Sequence, residues 1–318
     1  MKTKSQKFLY HQIMHFLPPL AFVDVGARAV KQNRFVKEFP HALYIGFEPD
    51  IEECKRLNAL NIEKHQFYPQ ALGSKSESRT LYVTRNPACS SLYEPDSKEM
   101  HRFLECGPYF DVLEKKTVET VSMDEWCRDA GIPEVAFLEL DTQGSELDIL
   151  RGSKHLLANS VMGLQVEVEF FPIYKNQPLF SDVDSYLQPL GFCLFDLSRY
   201  RLRRAYLKTR GQLVWGHALY LKDLHQMKER QLAQFLNLSA IASFYGFEDY
   251  ALEVLEAMLK NELDLKPTDT LKKIQKILDS FYRRFSRPKQ RGIIKRLRKA
   301  PSPWKVAPRK DCGYFIKD

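Results

Sequence analysis

Residues Phe137 to Ser153 read FLELDTQGSELDILRGS, and the stretch changes character halfway along. Phe137, Leu138 and Leu140 form a short, closely spaced apolar run, the pattern of a strand covered on both faces. The run stops at an acid, Asp141, and turns through Thr142, Gln143 and Gly144. A helix then starts, with Leu147, Leu150 and Leu156 at helical spacing. In an open parallel sheet, ligands bind beyond the carboxyl ends of the strands. Asp141 therefore falls where chemistry is usually done, and Glu146 lies in the first turn of the following helix. The same residues also suit a plain structural role, with Asp141 as N-cap and Glu146 complementing the helix dipole.

Two upstream segments repeat the strand-then-acid pattern. Ala21-Phe22-Val23-Asp24-Val25-Gly26-Ala27-Arg28 is an apolar strand ending in acid and glycine. About one β-α unit later, Leu43-Tyr44-Ile45-Gly46-Phe47-Glu48-Pro49-Asp50 is a strand ending in Glu48. The spacing from Gly26 to Glu48 fits a nucleotide-type site. Backbone approaches the ligand at the first turn, and a carboxylate at the end of the second strand accepts both ribose hydroxyls. Ala27, Arg28, Ala29 and Val30 follow Gly26, so the chain lacks the G-x-G-x-x-G that beds a pyrophosphate. That argues against NAD or FAD and points to a nucleoside ligand such as S-adenosylmethionine.

DVGARAV, GFEPD, QALG, the serine pair of CSSLYEPD, VSMDEW, LELDTQGSELDILRGS and LQVEVEFFPIY occur in the order found in FkbM-type S-adenosylmethionine-dependent methyltransferases. The chain resembles that family from about Leu20 to Lys222, most specifically at Asp141, Gly144, Glu146, Leu150 and Gly152. The resemblance implies a Rossmann-like class I methyltransferase: an α/β fold whose mostly parallel seven-stranded sheet ends in one antiparallel strand. Cofactor contacts are expected at Asp24, Gly26, Ala27, Arg28, Glu48, Pro49, Ala71, Leu72, Ser91 and Asp141, although Asp24 also suits a brace for the loop, Arg28 a solvent-facing role, and Ala71 and Leu72 plain core positions. The family usually reads D-x-G-A-N-x-G at the first turn, whereas Arg28 and Val30 stand in that stretch here. The departure predicts a tighter loop or weaker cofactor affinity. The alternative reading is a catalytically weak methyltransferase-fold module that binds a partner through its C-terminal parts.

Methyl transfer to oxygen needs a held hydroxyl and a route for its proton. Asp141 is the leading candidate as base or as ligand of a divalent ion, Mg or Mn, that would lower the hydroxyl's pKa. Glu167 and Glu169 lie two apart on a strand and so share a face. Each is a second catalytic candidate or a satisfied structural acid. His155, His101 and His217 are further candidate bases, with His217 inside a strand and read as structural. Ser90 and Glu146 are candidate substrate contacts, although the Ser90-Ser91 pair equally suits a turn cap. Arg201, Arg203 and Arg204 crowd a loop expected on the ligand side. They suit an acidic or glycan acceptor, or form a solvated hairpin.

The remaining organisation is read from periodicity. Strands are expected near 21–25, 43–47, 66–71, 79–84, 135–141, 164–170, 191–196 and 213–221, and helices near 50–60, 122–130 and 145–158. The 213–221 strand follows its predecessor too closely for a crossover, so the pair should be antiparallel. Ser74 to Lys116 reads as a long loop over the substrate side, or an ordinary connection, with a short helix near Asp96 to Leu104. From Lys222 the chain turns helical, with a break at Gly246. The expected domains are 1–222, a helical cap at 223–285 resembling one tetratricopeptide-like hairpin, and a basic tail at 286–318. The cap is expected to dock on the body or to form a homodimer surface.

Charge is concentrated at the C-terminus. Arg283 to Asp318 holds 13 Lys/Arg and 2 Asp/Glu, and the rest of the chain balances to −3 against a total of +8. The basic character thus belongs to the tail and gives no reason for the body to bind nucleic acid. The tail suits an anionic membrane surface or a solvated arm, with nucleic acid the third choice. No apolar run approaches the ~20 residues of a membrane span, and the N-terminus lacks a signal peptide's apolar core. Six scattered cysteines without C-x-x-C pairs favour free thiols. A cytoplasmic protein, peripheral to the inner membrane face, is expected.

Overall fold

Five segments form the parallel strands of the main sheet, four of them largely buried. β1 (Ala21–Val25), β2 (Leu43–Phe47), β3 (His65–Tyr68), β7 (Phe137–Leu140) and β8 (Gly163–Glu169) lie in the order β3-β2-β1-β7-β8. The protein is described by a computed structural model covering residues 9, 12–13, 15–17, 20–28, 38–39, 42–104, 106–132, 134–206, 208–227, 231–262 and 269–285. The basic tail, 286–318, and Val30 lie outside the described residues, as does most of the N-terminal stretch, although Leu9 and Ile13 are buried in the core. β11 (Gln212–Lys222) runs antiparallel to β8, and β9 (Phe192–Leu197) pairs antiparallel with β11. This is the expected parallel sheet closed by one reversed strand. A short extra strand, β10 (Tyr200–Leu202), pairs with the first residues of β11.

Alternation along the strands sends side chains to two cores. On one face Val23, Ile45, Leu138, Leu140, Val166 and Val168 pack with Leu147, Leu150 and Leu156. These leucines come from α4 (Glu146–Arg151) and α5 (Lys154–Asn159). On the other face Phe22, Tyr44, Phe137, Leu219 and Leu221 pack with Cys54 and Leu57 of α1 (Ile51–Asn58) and with the C-terminal helices. Those helices are α7 (Leu232–Tyr245), α8 (Glu248–Glu262) and α9 (Asp269–Phe285). Phe235, Ile241, Leu255 and Phe281 share one cluster with Phe22 and Phe137, and Tyr245 stacks on Phe137 with ring centroids 5.6 Å apart. The helical extension thus packs directly on the sheet. Among the described residues no helix is long and apolar enough to cross a membrane.

Two expectations change. The 66–71 segment splits at Tyr68, and its second half, β4 (Ala71–Gly73), joins a separate three-stranded sheet with β5 (Glu77–Thr84) and β6 (Val112–Ser122). Lys115 and Lys116 thus belong to a strand rather than a loop. Between β5 and β6 lies α2 (Ser97–Met100), where a short helix was expected. The helix foreseen over 145–158 breaks into α4 and α5 at Gly152, for a steric reason. A Cβ at Gly152 would sit 2.2 Å from the Gly73 carbonyl oxygen and 3.1 Å from the Ser122 Cβ. The glycine lets the helix touch the end of β4. Gly152→Ala is expected to lower stability by about 2–3 kcal/mol through backbone overlap, measured by urea denaturation; a change within about 0.5 kcal/mol, ordinary for a neutral surface site, would contradict this packing.

Candidate active site

The ends of β1 and β7 are joined by a contact only glycine permits. Gly26 has φ +91°, and a Cβ on it would lie 2.0 Å from the Asp141 carbonyl oxygen. The Asp141 N–H donates to Val25 O at 3.0 Å, and the N–H groups of Gly26 and Ala27 both donate to Phe47 O at 2.9 and 3.2 Å. The first turn, the end of β2 and the acid after β7 therefore meet in one place. Asp24, largely buried, takes the Tyr44 hydroxyl, so it braces the sheet below this turn.

Glu48 lies at the end of β2, 2% exposed. Its backbone N–H donates to Tyr68 O, and its Oε1 accepts the Asp50 N–H at 2.9 Å. Arg28 grips it with Nε 2.9 Å from Oε2 and Nη2 3.1 Å from Oε1. Burial raises the Glu48 carboxyl above its ordinary range, and the Arg28 charge pulls the other way. Asp50, after Pro49, also meets Arg28 and caps α1 through the N–H groups of Glu52 and Glu53.

Beyond β7 the chain makes a tight turn with Gln143 at φ +62° and Gly144 at φ +105°. Glu146 ties this turn together. Its carboxyl accepts the Thr142 N–H at 2.7 Å, the Thr142 hydroxyl at 2.9 Å and the Gly144 N–H at 2.9 Å. These bonds commit Glu146 to the turn, which differs from the substrate contact expected of it. Gln143, which sequence reading passed over, is the hub. Its Nε2 donates to Asp141 Oδ1 at 3.0 Å and to Glu167 Oε2 at 2.5 Å. Its Oε1 accepts the Tyr174 hydroxyl at 2.9 Å, and its backbone oxygen accepts the Ser91 hydroxyl at 2.6 Å. A polar residue immediately before the turn glycine was the available signal.

Glu167 and Glu169 are buried on one face of β8, as their spacing requires. His217 is the cross-strand partner of Glu167 on β11, and Trp215 that of Glu169. One ligand atom each from Asp141, Glu167 and His217 lie within 4.8 Å of one another. The cross-strand register, which the sequence does not display, thus brings His217 to the acids. Beside it Tyr200 stacks on Trp215 at 5.5 Å and meets the His217 ring edge-on at 5.7 Å.

The other candidates are placed as follows. Ala71 and Leu72 are buried in β4, with Leu72 in the core beside Leu140. Ser90 Oγ accepts the Thr84 N–H, a turn-capping role. Ser91 and Tyr174 hold the segment between β5 and β6 against the Asp141 turn: Tyr174 also donates to Cys89 O, and the Asp96 N–H donates to Ile173 O. Arg201 donates to Gly211 O, Arg204 lies 4.5 Å over the Phe103 ring, and the Arg203 carbonyl accepts the Leu104 N–H. Their hairpin leaves the sheet at the end of β8 that carries Glu169. His101 pairs with Asp111 at 2.7 Å on the surface. His155 lines a cavity of about 380 Å³ with Asp124, Cys127 and Leu156, and none of the clustered acids lies in its wall. The five described cysteines are free thiols.

Burial pushes the Glu146 carboxyl up to about 7 and, with the neighbouring acids, raises Glu167 and Glu169 well above their ordinary 4.5. Between pH 4.5 and about 7 the folded protein therefore keeps protons that the unfolded chain has released. Stability falls as pH rises through that window. A thermal denaturation series should show Tm declining from about pH 5 to 8, and Glu169→Gln, neutral throughout, should flatten the decline. An identical slope in the variant would remove Glu169 from this account.

Comparison with known proteins places residues 24–194, just over half of the chain, in a match to the methyltransferase FkbM domain. The chain is similar to the 2-O-methyltransferase NoeI of Sinorhizobium fredii, with 23% identity over 173 residues, 50% of this chain and 68% of that protein. Among solved structures it is similar to magnesium protoporphyrin IX methyltransferase from Synechocystis with bound S-adenosylmethionine, at 12% identity and a TM-score of 0.35, covering 70% of this chain and 86% of that one. It is also similar to precorrin-6y C5,15-methyltransferase from Geobacter metallireducens, at 9% identity and a TM-score of 0.36, covering 67% and 85%.

Proposed function

The chain belongs to the FkbM family of S-adenosylmethionine-dependent methyltransferases, and we propose that it methylates a hydroxyl oxygen of a sugar, a glycan end or a related metabolite. The observation that carries this reading is the glycine-only contact between the Gly26 turn and Asp141, with Glu48 at the neighbouring strand end. It supports reading the Glu48 end as a nucleoside seat beside an acid cluster. S-adenosylmethionine supplies an electrophilic methyl group when bound. Glu48 would take the ribose beside the Gly26–Ala27 turn.

In this reading Asp141 holds the acceptor hydroxyl and takes its proton. Gln143 fixes the Asp141 carboxylate by a hydrogen bond and is itself held by Tyr174. Glu167 and Glu169, whose carboxyls burial and the neighbouring acids raise above their ordinary range, lie beside this point. Asp141, Glu167 and His217 also make a donor set that a divalent ion, Mn more readily than Mg given the imidazole, would accept to acidify the hydroxyl. The acceptor side is assigned to Tyr200, Arg201, Arg203 and Arg204. The name of the S. fredii relative, a 2-O-methyltransferase, supports oxygen as the acceptor atom. The helices at 223–285 are proposed as a docked cap with a surface for a second copy. The basic tail is proposed to hold a cytoplasmic enzyme at an anionic membrane.

The test is incubation of the full chain with methyl-labelled S-adenosylmethionine and a panel of neutral and acidic saccharides, with and without EDTA. Label in an alkali-stable ether is expected. Label on nitrogen or carbon, or no label on any hydroxyl acceptor, would contradict the proposal.

A further inference from the structure

Glu48 has the position of a ribose acceptor, yet the chain's own guanidinium already holds it. Oε1 accepts the Asp50 N–H at 2.9 Å and Arg28 Nη2 at 3.1 Å, and Oε2 takes Arg28 Nε at 2.9 Å. Arg28 is anchored again on Asp50 Oδ2 at 3.1 Å. An ionised carboxylate offers about four acceptor positions, and three are filled. Glu48 is 2% exposed, so little approach remains for anything else. A ribose diol brings two O–H donors and needs both oxygens. The diol and Arg28 therefore cannot share Glu48.

We propose that Arg28 is an internal competitor for the nucleoside seat: it closes Glu48 in the free protein, and the cofactor binds only as the guanidinium is displaced. Resting on the reading of Glu48 as ribose acceptor, it makes Arg28 the residue that sets cofactor affinity. The exit is open, since the Arg28 side chain is 30% exposed and that of Asp50 44%. A displaced guanidinium can therefore stay hydrated beside Asp50, so the latch yields to ligand instead of blocking it. Asparagine, which the family pattern carries here, has no charge and is too short to bridge two carboxylates.

Calorimetric titration of the full chain with S-adenosylhomocysteine tests this. Arg28→Asn should bind roughly tenfold tighter than wild type, because no ion pair has to break. Asp50→Asn should tighten binding in the same direction by a smaller factor. It removes the second anchor of Arg28 while keeping an equally good helix cap. Glu48→Gln should cost more affinity in the Arg28→Asn background than in wild type, where breaking the latch offsets part of the loss. Equal or weaker binding by Arg28→Asn would overturn the proposal and make Arg28 a cofactor contact or a spectator. Tightening that Glu48→Gln leaves untouched would overturn it too, since the gain would then come from elsewhere. If neither wild type nor any variant binds, the cofactor seat itself is misassigned and the proposal falls with it.

Discussion

Asp141→Asn is expected to lower methyl-transfer turnover about 100- to 10,000-fold, the usual worth of a positioned general base. The amide keeps the volume and one oxygen to meet Gln143 Nε2, so the turn through Gly144 should persist. S-adenosylhomocysteine affinity and Tm should then stay near wild type. That split separates a chemical role from a structural one, because loss of a hydrogen bond that anchors the turn would lower Tm together with turnover. Turnover within a fewfold of wild type would remove Asp141 as the base. Glu167 and His217, each with a ligand atom within 4.8 Å of one of its own, would be next in line.

Gly26→Ala should be the most damaging small substitution in the chain. The added Cβ would sit 2.0 Å from the Asp141 carbonyl oxygen, and the residue would have to hold φ +91°. Left-handed strain contributes roughly 1–2 kcal/mol and overlap with backbone about 2–3 kcal/mol more. A total loss of about 3–5 kcal/mol is expected, read by urea denaturation. Because the obstruction lies between the cofactor turn and Asp141, cofactor affinity and turnover should fall together. A variant as stable as wild type would show that the turn relaxes away from β7, and would loosen the link between the two halves of the site.

The parts of this arrangement legible in the sequence were those fixed by period and punctuation. Phe137–Leu140, Asp141 and Gly144 announce strand, acid and turn in order, and Ala21–Gly26 and Leu43–Glu48 repeat the signal. β6 was hidden because Leu113, Glu114, Lys115 and Lys116 are all exposed, leaving no apolar alternation to read. The break at Gly152 was hidden because Leu147, Leu150 and Leu156 keep helical spacing across it. The close approach of Gly152 to Gly73, far away in sequence, is equally invisible there. The site divides in the same way. Asp141, Glu167 and Glu169 followed from strand ends and two-residue spacing. The approach of His217 depends on how β11 pairs with β8, and the Gln143 bridge on a left-handed turn. The Arg28–Glu48 pair, 20 residues apart, follows from the parallel pairing of β1 and β2, which sets the two strand ends side by side.

A nucleoside seat at Glu48 that faces an acid centre at Asp141 across the Gly26 turn has a direct structural consequence. A crystal structure of the full chain with S-adenosylhomocysteine tests it most directly. Both ribose hydroxyls should lie on the Glu48 carboxylate, with Arg28 withdrawn and the sulfur turned toward Asp141. A nucleoside bound away from Glu48, or a sulfur directed away from Asp141, would contradict the account.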